Sequence, residues 1–459
     1  MLTTLALLAM SVHGQPEPPI ALHPDNPHVF LFRGQPTVLI TGTEHYGAVL
    51  NLDFDHGPYL AELERCGLNL TRTFSGAYVE PQGAFGIARN TLAPEPGRLI
   101  CPWARSDEDG YAGGGAKFDL ETWDDAYFDR LRAFVALASE HGVVVEYVFF
   151  CPFYGEEQWA LSPMNAGNNI QGIGDVDRKT VYDLSHPDLQ AVQEALVRKV
   201  VRELAGFDNL YYEICNEPYF GGVSLEWQHR IADVIAEEEG RIGVRHLIAQ
   251  NIANGAQVVT DPHPEVSVLN FHYATPPTAV DQNYDLGLAI VDDETGFDGQ
   301  EDSTYRSQAW LFMLAGGSGF DHLDYSFSPD HEDGTFEYPE GQPGGGSRTL
   351  REQLGFLRTV LEELDLVSLK PDRDALRDLP EGVQGRALSA PGRQNLAYLT
   401  GSGPVDLVLS IPEGDYRLEW LDPETCGVIG EATDVRSDGS VSLHTPAFEP
   451  DIAFRLVAR

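Results

Sequence analysis

At 459 residues, with 42% apolar and 10% aromatic side chains, the chain has material for two or three folded domains and is too apolar to be wholly disordered. Its 71 acidic residues face 30 basic ones, a formal net charge of −41. A surface of that sign repels phosphate backbones and anionic headgroups, which weighs against nucleic-acid and acidic-membrane partners and reads as a solubility or salt-tolerance adaptation.

In chain order, residues 1–10 form a short apolar core, and 11–14 (Ser11, Val12, His13, Gly14) form a small-residue exit. That pattern predicts a signal peptide over 1–14 and a secreted or periplasmic protein, although no Lys or Arg precedes the apolar run. No later segment approaches the roughly 20 apolar residues of a membrane span. Cys66, Cys101, Cys151, Cys215 and Cys426 are odd in number and widely spaced, and suggest buried thiols more than a disulfide framework or metal site.

A hairpin is predicted from residues 28–32 and 37–41, the second arm serving as the first barrel strand. Apolar strands then alternate with amphipathic helices. Strands are expected at 68–74, 143–150, 210–215, 246–250, 266–271, 288–291 and 320–325. Helices are expected at 124–140, 187–204, 224–239, 305–314 and 349–364. About eight strand–crossover units predict an α/β fold, a closed (β/α)₈ TIM barrel over 15–370 that includes the hairpin. From about residue 372 short strands alternate with Pro/Gly turns, which predicts a small C-terminal β-sandwich over 371–459. Two triple-glycine stretches, at 113–115 and 344–346, read as loop tips.

Side chains at the C-terminal ends of barrel strands face the active site. The fourth strand runs into Asn216, Glu217 and Pro218, and the seventh into Asp292, Asp293 and Glu294. Two carboxylates aimed into one mouth are what glycoside hydrolysis needs, one to protonate the leaving oxygen and one to attack or to activate water. Strand alternation sets Asp292 and Glu294 on one face and Asp293 on the other, and the longer Glu294 is the preferred partner. No H-x-H or H-E-x-x-H spacing occurs, so neither a catalytic metal nor a cofactor is expected.

With Asn216 and Glu217 after the fourth strand and Glu294 after the seventh, the sequence resembles the clan A retaining glycoside hydrolases, (β/α)₈ barrels that include cellulases, mannanases and galactosidases. The resemblance covers about residues 28–370 and implies Glu217 as acid/base and Glu294 as nucleophile. It implies Arg72 as the arginine that keeps the nucleophile ionised and Asn216 as the ligand of the sugar 2-hydroxyl. It also implies His272 or Tyr273 as orienting groups and His45 as a wall of the glycone subsite. The tryptophan platform common at the eighth strand is absent, and Tyr325 stands there as its substitute. Trp103, Trp159 and Tyr154, in the long loops after the second and third strands, are further candidates for stacking on sugars. The function so implied is double-displacement hydrolysis of a neutral oligo- or polysaccharide. A catalytically inactive carbohydrate-binding or adhesion protein on the same barrel is the alternative.

Overall fold

The computed structural model describes residues 17–377 and 379–459; the leader expected at 1–14 lies outside them. Eight parallel strands form the central sheet: β1 (Leu39–Thr43), β2 (Leu70–Phe74), β3 (Val144–Phe150), β4 (Leu210–Cys215), β5 (Ile248–Asn254), β6 (Val268–His272), β7 (Ala289–Thr295) and β8 (Gly319–Leu323). β8 pairs with β1, so the sheet curls back on its first strand. The seam between β1 and β2 carries no regular ladder. Asn69 closes it, its backbone N–H donating to the Ile40 carbonyl and its side chain accepting from the Ile40 N–H at 2.9 Å. The protein is a nearly closed (β/α)₈ barrel.

The first strand begins two residues later than its apolar run suggested. Gln35–Thr37 pairs with Asn26–Phe32 across a turn whose central residues, Arg33 and Gly34, both have positive φ. The chain then passes Val38 and enters the barrel at Leu39. Ile20 and Phe30 from this small sheet pack with Leu39, Leu70, Val144, Val268 and Val291. The hairpin therefore caps the N-terminal mouth of the barrel and leaves the C-terminal mouth open.

The outer helices follow their apolar periodicity and their caps. Pro187–Leu204 buries Leu189, Val192, Leu196, Val197, Val200, Val201 and Leu204 on one stripe. Asp124, Ser224 and Ser347 each accept a backbone N–H at the first turn of their helices. No helix links β5 to β6, while a short one, Thr278–Asn283, follows β6. Among the described residues no helix is long and apolar enough to cross a membrane.

The long segment after β2 is not all loop, since Trp103–Asp109 and Ala116–Trp123 pair as an antiparallel hairpin. The C-terminal region consists of antiparallel sheets of six and three strands around their own apolar core, which includes Leu399, Leu407, Leu418, Leu443 and Phe454. It docks on the helix Asp302–Leu314. Tyr398 stacks on Trp310 with ring centroids 5.2 Å apart, and buried Arg306 pairs with Asp451 at 2.8 Å.

Candidate active site

A cavity of about 420 Å³ opens at the C-terminal mouth, and Glu217, Glu294, Asn216, Tyr273 and His45 all line it. One oxygen from each of Glu217 and Glu294 and a ring nitrogen of His272 lie within 4.8 Å of one another. The barrel register explains the convergence. Where β7 faces β6 and β8, the pairing slips between Asp292 and Thr295, so β7 carries a bulge at Asp293 and Glu294. Strict alternation, which put Asp293 on the opposite face from Glu294, fails there. Both residues contact Arg72 and His272.

Glu294 is held on both oxygens. Tyr273 donates to Oε1 at 2.7 Å and Tyr46 to Oε2 at 3.1 Å, while Arg72 approaches Oε2 at 3.5 Å. Burial pushes this carboxyl up, but the His272 and Arg72 charges and the Tyr273 hydroxyl outweigh it, and the group titrates well below the usual carboxylate range. Burial and the neighbouring carboxylates push the Tyr46 and Tyr273 phenols up, so both stay protonated donors.

Glu217 follows β4 in a left-handed backbone conformation, φ +38°. Its Oε2 accepts from Tyr154 at 2.5 Å, and its Oε1 accepts from Tyr219 at 3.3 Å and lies 3.1 Å from His272 Nδ1. Tyr46 (φ +63°) and Tyr273 (φ +50°) share the left-handed region. Bulky residues rarely sit there, and such strain concentrates at functional sites.

Arg72 is fully buried and serves more than Glu294. It donates to Glu213 at 2.5 and 3.0 Å and to Asn216 Oδ1 at 2.9 Å, and lies 3.2 Å from Asp293. Glu146, 3.8 Å away, completes a carboxylate layer across the barrel interior. Burial and the charges of Glu213 and Asp293 raise the Glu146 carboxyl far above its ordinary value. Asn216 donates from Nδ2 to the Tyr154 hydroxyl at 3.0 Å.

Two trios have chelating spacing, Glu217–His272–Glu294 and Glu146–Glu213–Asp293. Each already holds a protein cation. Arg72 lies against the second, and His272 lies in the first. Burial lowers the His272 imidazolium, but its acidic neighbours raise it well above its ordinary value.

His45 lines the same cavity, 3.3 Å from Glu80, whose carboxylate also accepts from Tyr78 at 3.0 Å and from Asn90. Tyr325 does not line the cavity: its ring is buried behind His45 and Phe297, and Gly344, which has no room for a Cβ, covers it. The 344–346 glycines are therefore buried packing elements and not a loop tip. Trp103 and Trp159 do not reach the cavity either. Trp103 is buried beside Trp123, and Trp159 packs on Phe153 and donates to the Val176 carbonyl at 3.3 Å. Tyr154 lines the cavity and directs its hydroxyl at Glu217. Tyr46 and Tyr219 carried no sequence signal beyond nearness to His45 and Glu217, and Glu80 carried none.

Compared with solved structures, the chain is similar to a putative glycoside hydrolase from Bacteroides vulgatus ATCC 8482, with 14% identity, a TM-score of 0.67, and coverage of 96% of this chain and 83% of that one. A second structure described as a glycoside hydrolase matches at 11% identity and TM-score 0.65, covering 96% and 97%. A family 5 glycoside hydrolase from the same Bacteroides matches at 12% and 0.61, covering 96% and 93%. The chain shares the (β/α)₈-barrel fold of these glycoside hydrolases. As a sequence it matches no family model and no curated protein.

Proposed function

We propose that the protein is an exported retaining glycoside hydrolase that cleaves O-glycosidic bonds of a neutral oligo- or polysaccharide, with Glu294 as nucleophile and Glu217 as acid/base. The observation that carries this reading is the approach of the two carboxylates, oxygen to oxygen, within 4.8 Å across one cavity. Retaining pairs stand about 5–5.5 Å apart, whereas inverting pairs need about 6.5–9.5 Å to admit a water.

In the first step Glu294 attacks the anomeric carbon while the bond to the leaving oxygen breaks and the Glu217 proton passes to that oxygen. In the second, Glu217 takes a proton from water, the water oxygen attacks the same carbon, and the Glu294 ester bond breaks. The lowered pKa of Glu294 supports its role, since a nucleophile must be ionised. Asn216 is assigned to the 2-hydroxyl and His45 to the glycone wall. Glu80, Glu217 and Glu294 line the cavity and no Lys or Arg does, which supports a substrate without negative charge. Residues 15–370 are assigned as the catalytic barrel, 371–459 as an accessory sandwich, and 1–14 as the export signal.

The test is hydrolysis of a panel of aryl glycosides and neutral polysaccharides by the wild type, Glu217→Ala and Glu294→Ala, with and without azide. Loss in both variants, with azide rescue of at least one, is the expected result. Equal cleavage by either variant contradicts the assignment, and glycan binding without any cleavage favours the adhesion alternative.

A further inference from the structure

Both sides of the cavity carry aromatic rings, Phe74 and Phe297 beside Tyr46 and Tyr273 and Phe85 and Phe220 beside Tyr154, and of these two phenylalanine pairs the second is the exposed one. Around Glu294 stand hydrogen-bonding groups, the Tyr46 and Tyr273 hydroxyls, with Asn216 and the His45–Glu80 pair also on the cavity wall. Around Glu217 the surface is aromatic. Tyr154 and Tyr219 both turn their hydroxyls toward Glu217. Phe85 and Phe220 flank Tyr154 with ring centroids 5.4 and 5.8 Å from it, and both line the cavity. They are 44% and 43% exposed, among the few large apolar side chains left open to solvent. The backbone under Phe85 is also unusual: φ is +53°, between Gly83 and Gly86, which are themselves left-handed. A phenylalanine held there against its steric preference, with its ring in water, gains nothing for the fold.

The acid/base stands on the side from which the leaving group departs. We propose that Phe85, Phe220 and the Tyr154 ring form an aglycone subsite for an uncharged apolar group, so that the substrates are glycosides of a hydrophobic alcohol and not only sugar-to-sugar linkages. This rests on the assignment of Glu217 as acid/base. Three carboxylates in one cavity exclude an anionic aglycone, and covering two exposed phenyl rings with apolar surface favours binding in proportion to the area removed from water.

Alkyl glycosides test the subsite, because methyl and octyl glycosides differ in apolar length and hardly in leaving-group acidity. Octyl and methyl β-D-glucosides, galactosides and mannosides, below micelle-forming concentrations, are compared in two ways. One is kcat/KM of the wild type; the other is calorimetric binding to Glu294→Gln, which needs no turnover. The octyl form is expected to exceed the methyl form at least about tenfold in both, a modest demand when each buried methylene is worth about fourfold. The ratio falls to about threefold or less in Phe85→Ala and Phe220→Ala, and Phe220→Leu, which keeps apolar area, retains most of it. Equal or undetectable binding of the two forms overturns the proposal, as does a tenfold preference for disaccharides over octyl glycosides. Tighter octyl binding without any hydrolysis supports the subsite while contradicting the glycosidase reading.

Discussion

The Tyr154 hydroxyl donates to Glu217 Oε2 at 2.5 Å and accepts from Asn216 Nδ2 at 3.0 Å. A side chain from the segment after β3 thus fixes the carboxylate and the amide that follow β4. The same ring carries Phe85 and Phe220 on its flanks, so one residue joins Glu217 to the rim of the cavity.

Removing that hydroxyl tests its importance. Tyr154→Phe leaves Glu217 short of a charge-assisted hydrogen bond worth about 1.5–3 kcal/mol. Activity on alkyl glycosides, whose leaving groups need the proton, is expected to fall roughly 10- to 100-fold. Activity on nitrophenyl glycosides falls less, and steady-state kinetics on both series checks the difference.

Glu294 gives a pH prediction. Its carboxyl is held below the ordinary 4.5 by His272, Arg72 and Tyr273 against the opposing effect of burial. Tyr273→Phe removes one of those supports, so the Glu294 titration moves up and the acid limb of kcat/KM moves to higher pH. For stability the sign follows the same shift. The Glu294 contribution is present above about pH 4.5 and is lost as pH falls toward the folded value. That of His272, raised above 6.5, is present below that pH and is lost as pH rises through the folded value. Urea midpoints measured across pH check both.

Arg72 holds the buried carboxylates of the barrel interior together. Its removal strands Glu213 and Asp293, both buried. Arg72→Ala is therefore expected to destabilise the fold by about 3–5 kcal/mol in denaturant unfolding. Arg72→Lys keeps the charge but not the fork that reaches Glu213, Asn216 and Glu294 together, and lies between the two.

The barrel was legible because strand runs and amphipathic helices alternate, and Glu217 and Glu294 because they close apolar strands. Other parts depend on contacts far apart in the sequence. Nothing local in Asp292, Asp293 and Glu294 announces the bulge that turns two adjacent acids toward Arg72. Trp103 and Trp159, like Tyr154, lie in long segments that follow barrel strands, and composition cannot separate a packed ring from a cavity ring. In the sandwich, the strand Gly427–Ser437 escaped notice because nearly all of it stands at the surface, with no apolar alternation to mark it.

Away from the site, Glu62 joins the first outer helix, His56–Arg65, to the last one, Arg348–Glu362, through Arg351 at 3.1 Å. Burial raises its carboxyl, but Arg65 and Arg351 win and lower it from 4.5 to about 2. With solvent screening of this partly exposed pair, that difference contributes roughly 1–2 kcal/mol of stability, present above pH 4.5 and lost progressively as pH falls toward 2. Glu62→Gln is expected to lose a comparable amount at pH 7 and little at pH 2, measured by urea unfolding at both.

The most direct test of the central claim is the anomeric configuration of the first-formed sugar, followed by proton NMR during hydrolysis of an aryl glycoside before mutarotation sets in. Attack by Glu294 and then by water, each inverting the carbon, predicts a product with the configuration of the substrate. A product of opposite configuration would mean that a single water-mediated displacement operates, and would contradict Glu294 as the nucleophile.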